Sequence, residues 1–238
     1  MDSATTTPHA DLSDFAHLHL HTQYSLLDGA IRTRDLCKTV YERGMRSVAV
    51  TDHGNMFGTL QFYEEAKKHG IKPILGCEAY LSDGEMEAKT DRKNYHIVLL
   101  AWNREGFANL QRLVSYGYLR GFYYNPRIDR KVLAEHSKGL IGLSACLSGH
   151  VSRLLLADRM DEARERVLEY KHISFGIVRL SLNFHFKKIT KVLEIIARDF
   201  VFFVYVSCDT KSTNDFFRRN IFTVKHPHIK LRIMCNKN

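Results

Sequence analysis

Apolar positions recur with two different periods over the first 171 residues, and the two alternate along the chain. Phe15–Leu20 alternates apolar and polar side chains, the period-two pattern of a strand with one buried face. Thr33 is placed to cap a helix over 34–43, which Gly44 would stop. A short β-branched strand follows at 47–51, then a helical pattern over 58–69 that again closes on a glycine, Gly70. Residues 73–81 and 96–102 read as strands, the second buried on both faces. Asn103 is placed to cap a helix to about Tyr118, and Asp129 a short one to His136. A strand over 140–145 precedes helices near 151–157 and 160–170. Repeated strand–helix units predict an α/β fold with a parallel sheet that is able to close into a barrel. In such folds reacting groups gather at strand ends.

Composition changes the picture mainly by dividing the chain. A 238-residue chain that is 45% apolar and 26% charged is long enough for a sizeable core and excludes fibrous or wholly disordered classes. The net charge of +9 suggests a polyanionic partner, but it is unevenly placed. Residues 1–171 hold 23 basic and 22 acidic side chains, whereas 172–238 hold 12 and 4. The same tail carries 9 of the 14 Phe. Three segments follow: a loose extension over 1–14, a domain over 15–171, and a basic, aromatic-rich tail over 172–238. No basic start with an apolar run heads the chain, so no secretory signal is expected. The longest apolar stretch, Phe200–Cys208, is about half a membrane span, so no membrane partner is expected. Cys37, Cys77, Cys146, Cys208 and Cys235 are odd in number and lack a CxxC pair, which points to a reducing cytoplasm.

The candidate chemistry lies at the predicted strand ends. His17, His19 and His21 alternate with Leu18 and Leu20, which places three imidazoles on one strand face. A solvated polar face and a metal site both fit that pattern, imidazole being the commonest metal ligand. Four further segments put His, Glu or Cys beside strand ends: Asp52-His53-Gly54-Asn55, Gly76-Cys77-Glu78, Tyr95-His96 and Ser144-Ala145-Cys146. Ser25 has no obvious base beyond these histidines and is a poor nucleophile. Arg127 and Arg130 fit phosphate contact, cap or surface roles equally. The cluster of Tyr116, Tyr118, Phe122, Tyr123 and Tyr124 fits packing better than base stacking.

The runs FAHLHLHTQYSLLDG, TDHGNMFG, IKPILGCEAY, YHIVLLA, GFYYNPRID and GLIGLSACLSG, dense from Phe15 to about Tyr170, resemble a known family. It is the N-terminal polymerase-and-histidinol-phosphatase (PHP) domain of bacterial replicative DNA polymerase III alpha subunits. The resemblance implies a distorted (β/α) barrel, incomplete or altered at its C-terminal end, holding up to three divalent ions, zinc or manganese. It implies His19, His21, Asp28, His53, Glu78, His96 and Cys146 as metal ligands, with His17 a neighbour. Asp52 would orient the loop or a ligand histidine from behind. Phosphoester hydrolysis is implied, in this context a metal-dependent 3′–5′ exonuclease that proofreads. Single-stranded DNA ends and other replicase subunits are the implied partners.

From His172 onward the resemblance fades. Leu193–Asp199 is similar to the helix before a last strand, and Cys208-Asp209 to that strand's end, which makes Asp209 an eighth ligand. Lys211 stands where the family has a ninth, a histidine, and an ammonium cannot ligate a metal. Out-of-frame sequence, a diverged barrel ending and a DNA-binding addition all fit the tail. A polymerase palm does not fit in 238 residues. The leading expectation is therefore a fragment carrying the metal-dependent phosphodiesterase site. A catalytically inactive scaffold domain and a free-standing phosphatase for a small phosphoester are the alternatives.

Overall fold

The computed structural model describes residues 12–13, 15–173, 178–179, 202–208 and 229–235. Helix α1 (Thr33–Glu42) buries Leu36, Cys37 and Val40, the spacing of one helical face. Thr33 is its first residue, not its cap, and the capping position, Arg32, contributes no side-chain hydrogen bond. Gly44, at φ 76°, ends the turn that follows. Strand β1 (Ser47–Val50) and helix α2 (Thr59–Lys68) complete the first unit. Phe15, Leu36, Val40, Val48, Phe62 and Ile71 belong to one apolar cluster between them.

Next come β2 (Lys72–Ser82), β3 (Asn94–Ala101) and α3 (Arg104–Leu119). Asn103 caps α3 as expected, its side chain accepting from the Gly106 amide at 2.9 Å. A small hairpin, β4 (Phe122–Tyr123) and β5 (Asn125–Ile128), turns on Tyr124 at φ 63°. Asp129 then caps α4 (Arg130–Glu135), accepting from the Val132 amide at 2.9 Å. The chain continues through β6 (Leu140–Leu143), α5 (His150–Leu156), α6 (Met160–Ile173) and β7 (Val178–Arg179). Strands β8 (Phe202–Cys208) and β9 (Ile229–Cys235) pair in parallel as a separate two-stranded sheet. Among the described residues, no helix is long and apolar enough to cross a membrane.

The main sheet runs β4-β5-β2-β3-β6-β7, with β1 also on β2. It is an α/β wall of the distorted-barrel kind, but mixed instead of parallel. β2 pairs with β3 antiparallel from Gly76↔Leu100 to Ser82↔Asn94, and β3 pairs with β6 antiparallel. The cause is the connection over 83–93, which holds no helix; without a crossover element, neighbouring strands run antiparallel. Strand β2 is long enough to change neighbours along its other edge. β1 occupies that edge over Lys72–Leu75, and β5 over Tyr80 and Leu81. Between them lies one isolated bridge, His53↔Glu78.

The expected strand over 15–20 is not formed as regular structure. Its carbonyls accept from β1 and the residue after it, His17 O from the Ala49 amide at 2.8 Å and Leu20 O from the Thr51 amide at 2.9 Å. Three residues on one side therefore match two on the other, an inserted residue that breaks the alternation. Leu18 and Leu20 accordingly pack into different apolar clusters instead of sharing a face.

Candidate metal centre

The antiparallel course of β3 explains why the candidate ligands meet. The end of β1, the middle of β2, the start of β3 and the loop after β6 all reach one side of the sheet. His53 sits in the turn after β1, where Gly54 takes φ 63° and its amide donates to Glu78 O at 2.8 Å. The Glu78 amide in turn donates to Asp52 O at 3.1 Å. His19 and His21 come from the irregular segment beside β1. His17 faces elsewhere: its ring meets Phe15 edge-on at 4.8 Å, and burial, aided by Arg43, keeps its imidazole below the usual range.

Glu78, 1% exposed, is the hub. Its Oε2 lies 3.2 Å from His19 Nε2, 3.0 Å from His21 Nε2 and 3.1 Å from His53 Nδ1, while its Oε1 lies 3.2 Å from His96 Nδ1. These approaches lack hydrogen-bond geometry: both carboxylate oxygens and His53 Nδ1 are buried without a hydrogen-bond partner. His19 Nε2 and His21 Nε2 also face each other at 3.1 Å.

The proton inventory sharpens this. Asp52, 2% exposed, accepts from the Thr22 amide at 2.6 Å, Thr22 Oγ1 at 2.7 Å and Ser25 Oγ at 2.8 Å. Ser25 gives its one hydroxyl proton to that carboxylate, so its oxygen accepts from the His53 amide at 3.1 Å and from His21 Nδ1 at 2.9 Å. A neutral His21 then carries its proton on Nδ1 and presents a bare Nε2 to Glu78 and His19. Lone pairs that converge in a buried pocket are stabilised by a cation between them. Metal–nitrogen bonds of about 2.0–2.1 Å put adjacent ligand atoms roughly 2.8–3.4 Å apart, the range seen around Glu78.

The donor atoms fall into two groups that share one carboxylate, His19/His21/Glu78 and His53/Glu78/His96, each within 4.8 Å. The chain thus holds a His/Glu cluster capable of binding metal. Burial alone would raise the Glu78 carboxyl, but the rings of His19, His21 and His96 outweigh it and hold it far below the carboxylate range. Burial opposes charge on His96 too, yet Cys146 and Glu78 push its imidazole up to about 9. Desolvation lowers His53. Cys146 Sγ lies 3.8 Å from His96 Nδ1 and accepts from the Ser148 amide at 3.4 Å; burial raises its thiol, but contact with His96 brings it below the usual value. Asp28, largely exposed, reaches the cluster through His53 Nε2 at 3.1 Å.

Of the residues singled out in the sequence, His19, His21, His53, Glu78 and His96 therefore meet directly, and Asp28 and Cys146 border them. Asp52 stands behind, braced on Thr22 and Ser25. Asp209 and Lys211 lie outside the described residues. Sequence reasoning missed Ser25 as a link between Asp52 and His21; its position four residues after His21 was the available signal. It also missed Tyr80, whose ring lies 6.1 Å from that of His53 and 5.1 Å from that of His96. Arg127 is not free to meet phosphate. It is 1% exposed and donates to the carbonyls of Met86, Ala88, Asp91 and Gly121. Arg130 pairs with Asp83 and Glu169.

Comparison with known proteins places this geometry. A family model described as "PHP domain" matches residues 17–185. DNA polymerase III subunit alpha of Helicobacter pylori is 51% identical over 170 residues, covering 67% of this chain and 14% of that protein. The protein of the same name from Thermus aquaticus is 44% identical over 200 residues, covering 78% and 16%. The chain thus spans about one-seventh of the length of these relatives. A solved structure of a candidate metal-dependent phosphoesterase from Bifidobacterium adolescentis shares the fold, at TM-score 0.50 and 16% identity over 79% of this chain and 85% of that one.

Proposed function

The chain belongs to the PHP domain family, and on that premise we propose that it hydrolyses phosphodiester bonds with bound divalent ions, removing nucleotides from the 3′ end of single-stranded DNA. In this reading it is part of a bacterial replicative polymerase alpha subunit, works in the cytoplasm beside other replicase subunits, and proofreads. The observation that carries it is the buried Glu78 carboxylate ringed by four imidazole nitrogens at 3.0–3.2 Å.

His19, His21 and Glu78 would hold one ion and His53, Glu78 and His96 a second. Asp28, beside His53, and Cys146, beside His96, offer further ligands at the margins of these groups, in keeping with up to three ions. A mixed imidazole, carboxylate and thiolate set suits zinc or manganese. Such ions, when bound, supply positive charge for the phosphoryl oxygens and make water a nucleophile near neutral pH. The protein groups do the rest. Glu78, ionised and shared, neutralises two cationic positions at once. Ser25 and Asp52 keep the His21 proton on Nδ1, so that Nε2 stays available as a ligand. The turn at Gly54 ties His53 to the backbone of β2, fixing its distance to Glu78.

Two measurements test the reading. Elemental analysis of gently purified protein should find zinc or manganese, and a 3′-labelled single strand should lose its label faster than a 5′-labelled one. Glu78→Gln should remove metal and lower activity at least 100-fold, about 3 kcal/mol of lost transition-state stabilisation. Metal-loaded protein that leaves single-stranded DNA intact while turning over small phosphoesters would replace the exonuclease by a small-molecule phosphatase.

A further inference from the structure

Five aromatic residues cluster between 116 and 124, and the structure divides them. Tyr116 packs against the core and meets His136 edge-on at 5.3 Å. Tyr123 lies under the Arg127 guanidinium at 5.1 Å, and Tyr124 under that of Arg92 at 3.9 Å. Tyr118 and Phe122 instead join a residue from the other side of the cluster, Phe57. The rings of Phe57 and Tyr118 lie 5.9 Å apart, and those of Tyr118 and Phe122 6.2 Å apart. All three are open to solvent, Phe57 at 62%, Phe122 at 48% and Tyr118 at 37%.

This row of rings is tied to the metal cluster at two points, Phe57 and the residue before Tyr118. Asn55 donates to His53 O at 2.9 Å and accepts from the Phe57 amide at 3.1 Å, tying Phe57 to the cluster's own turn. On the other side, Gly54 is flanked by the Tyr80 ring and Pro126, and Pro126 backs onto Gly117, the residue before Tyr118. An exposed aromatic row costs solubility unless something lies on it, and its continuity with a phosphoester-binding centre says what. Flat π faces leading to a phosphate-handling site suit unpaired bases, which stack without regard to sequence.

We propose that Phe57, Tyr118 and Phe122 form a stacking platform that holds the bases of a single DNA strand as its end enters the Glu78 cluster. The inference rests on the DNA-directed reading above, and it assigns the part of the site that selects single strands over paired ones. Paired bases bury their faces against each other and cannot lie on such a row.

Binding of a fluorescent oligothymidylate, followed by anisotropy with the full chain in chelator, tests this without relying on hydrolysis. Phe57→Leu and Phe122→Leu keep the apolar area but remove the ring, and each should weaken binding roughly 5- to 150-fold, the worth of one stacked base. Phe57→Trp and Tyr118→Phe should retain it. An abasic oligonucleotide of the same length should bind weakly and be insensitive to the leucine variants. Trp102→Ala, an exposed aromatic away from the row, serves as the control and should bind as wild type. Thermal melts show that each variant is folded. Equal binding by wild type and both leucine variants overturns the platform, as does absence of oligothymidylate binding; an apolar protein partner predicts that outcome. Ring-dependent binding without cleavage by the metal-loaded chain would leave the platform standing and sink the exonuclease reading alone.

Discussion

At the scale of single residues, the site depends on where protons are held. Ser25 touches no ligand-side atom of Glu78, yet its oxygen fixes the His21 ring by a 2.9 Å contact with Nδ1. Ser25→Ala should therefore cost 10- to 100-fold in metal affinity, in the range typical of groups that orient a ligand, with little change in fold. Titration with a metallochromic indicator reads it directly, and unchanged affinity would remove Ser25 from the site. His150 poses a separate proton question away from the cluster. It is 5% exposed and stacks on Tyr95 with ring centroids 3.8 Å apart. Burial, with Arg166 nearby, lowers its imidazole to about 4. Between that value and the ordinary 6.5, the unfolded chain holds the extra proton, so this contribution is complete above 6.5 and is lost as pH falls towards 4. The slope is at most about 1.4 kcal/mol per pH unit. Urea midpoints measured from pH 7 to 4 should fall less steeply in His150→Phe than in wild type, and parallel curves would contradict the assignment. The candidate ligands were legible because the sequence sets His, Glu and Cys beside predicted strand ends, although the structure places Glu78 in the middle of β2 and His19 and His21 in an irregular segment. Ser25 was legible only as a neighbour: its spacing from His21 was visible, but the hydrogen-bond direction that links it to Asp52 is not encoded in spacing.

At the scale of elements, the loop over 22–29 carries Ser25 and Asp28 just after His21, and it closes tightly. The Gly29 amide donates to Ser25 O at 2.7 Å, and a Cβ on Gly29 would fall 1.8 Å from Thr22 O. Gly29→Ala should force this loop open, costing about 1–3 kcal/mol of stability and lowering metal stoichiometry. Gly44→Ala is the matched comparison. Its Cβ would meet nothing within 4 Å and only its φ of 76° is strained, so metal content should stay at the wild-type level. Equal metal content in the two variants would show that the loop's closure is irrelevant to the site. The same scale shows where sequence patterning succeeds and stops. Caps at Asn103 and Asp129 and the stop at Gly44 were visible because side-chain chemistry decides them locally. The hairpin β4–β5 was hidden because its turn residue is a tyrosine in the left-handed region, which no turn rule anticipates. Strand direction was misjudged because a repeated strand–helix rhythm favours parallel pairing, while the helix-free stretch over 83–93 was the overlooked sign of the opposite.

At the scale of the whole molecule, three separate stretches of chain, around His19 and His21, at His53 and at His96, converge on the Glu78 carboxylate of a fourth, so metal binding there would be coupled to folding. A ligand present at a thousand times its dissociation constant adds about 4 kcal/mol. In a chain of this size, chelation should lower the melting temperature by roughly 8–16 °C, reversed by restoring zinc or manganese. A melting point indifferent to chelator would mean that the cluster is not loaded. The long strand β2 adds a consequence of its own. Where its edge passes from β1 to β5, the main-chain hydrogen bonds across the seam come from the Gly54 and Glu78 amides, one donating to Glu78 and the other to Asp52. Both amides are flanked by the side chains of the His/Glu cluster instead of by regular ladder. In deuterated solvent these two amides should exchange at a rate set by occupancy of the centre, while their neighbours along β2 exchange at a rate set by global opening. The seam in the sheet would then serve as a clock for loading, readable one amide at a time.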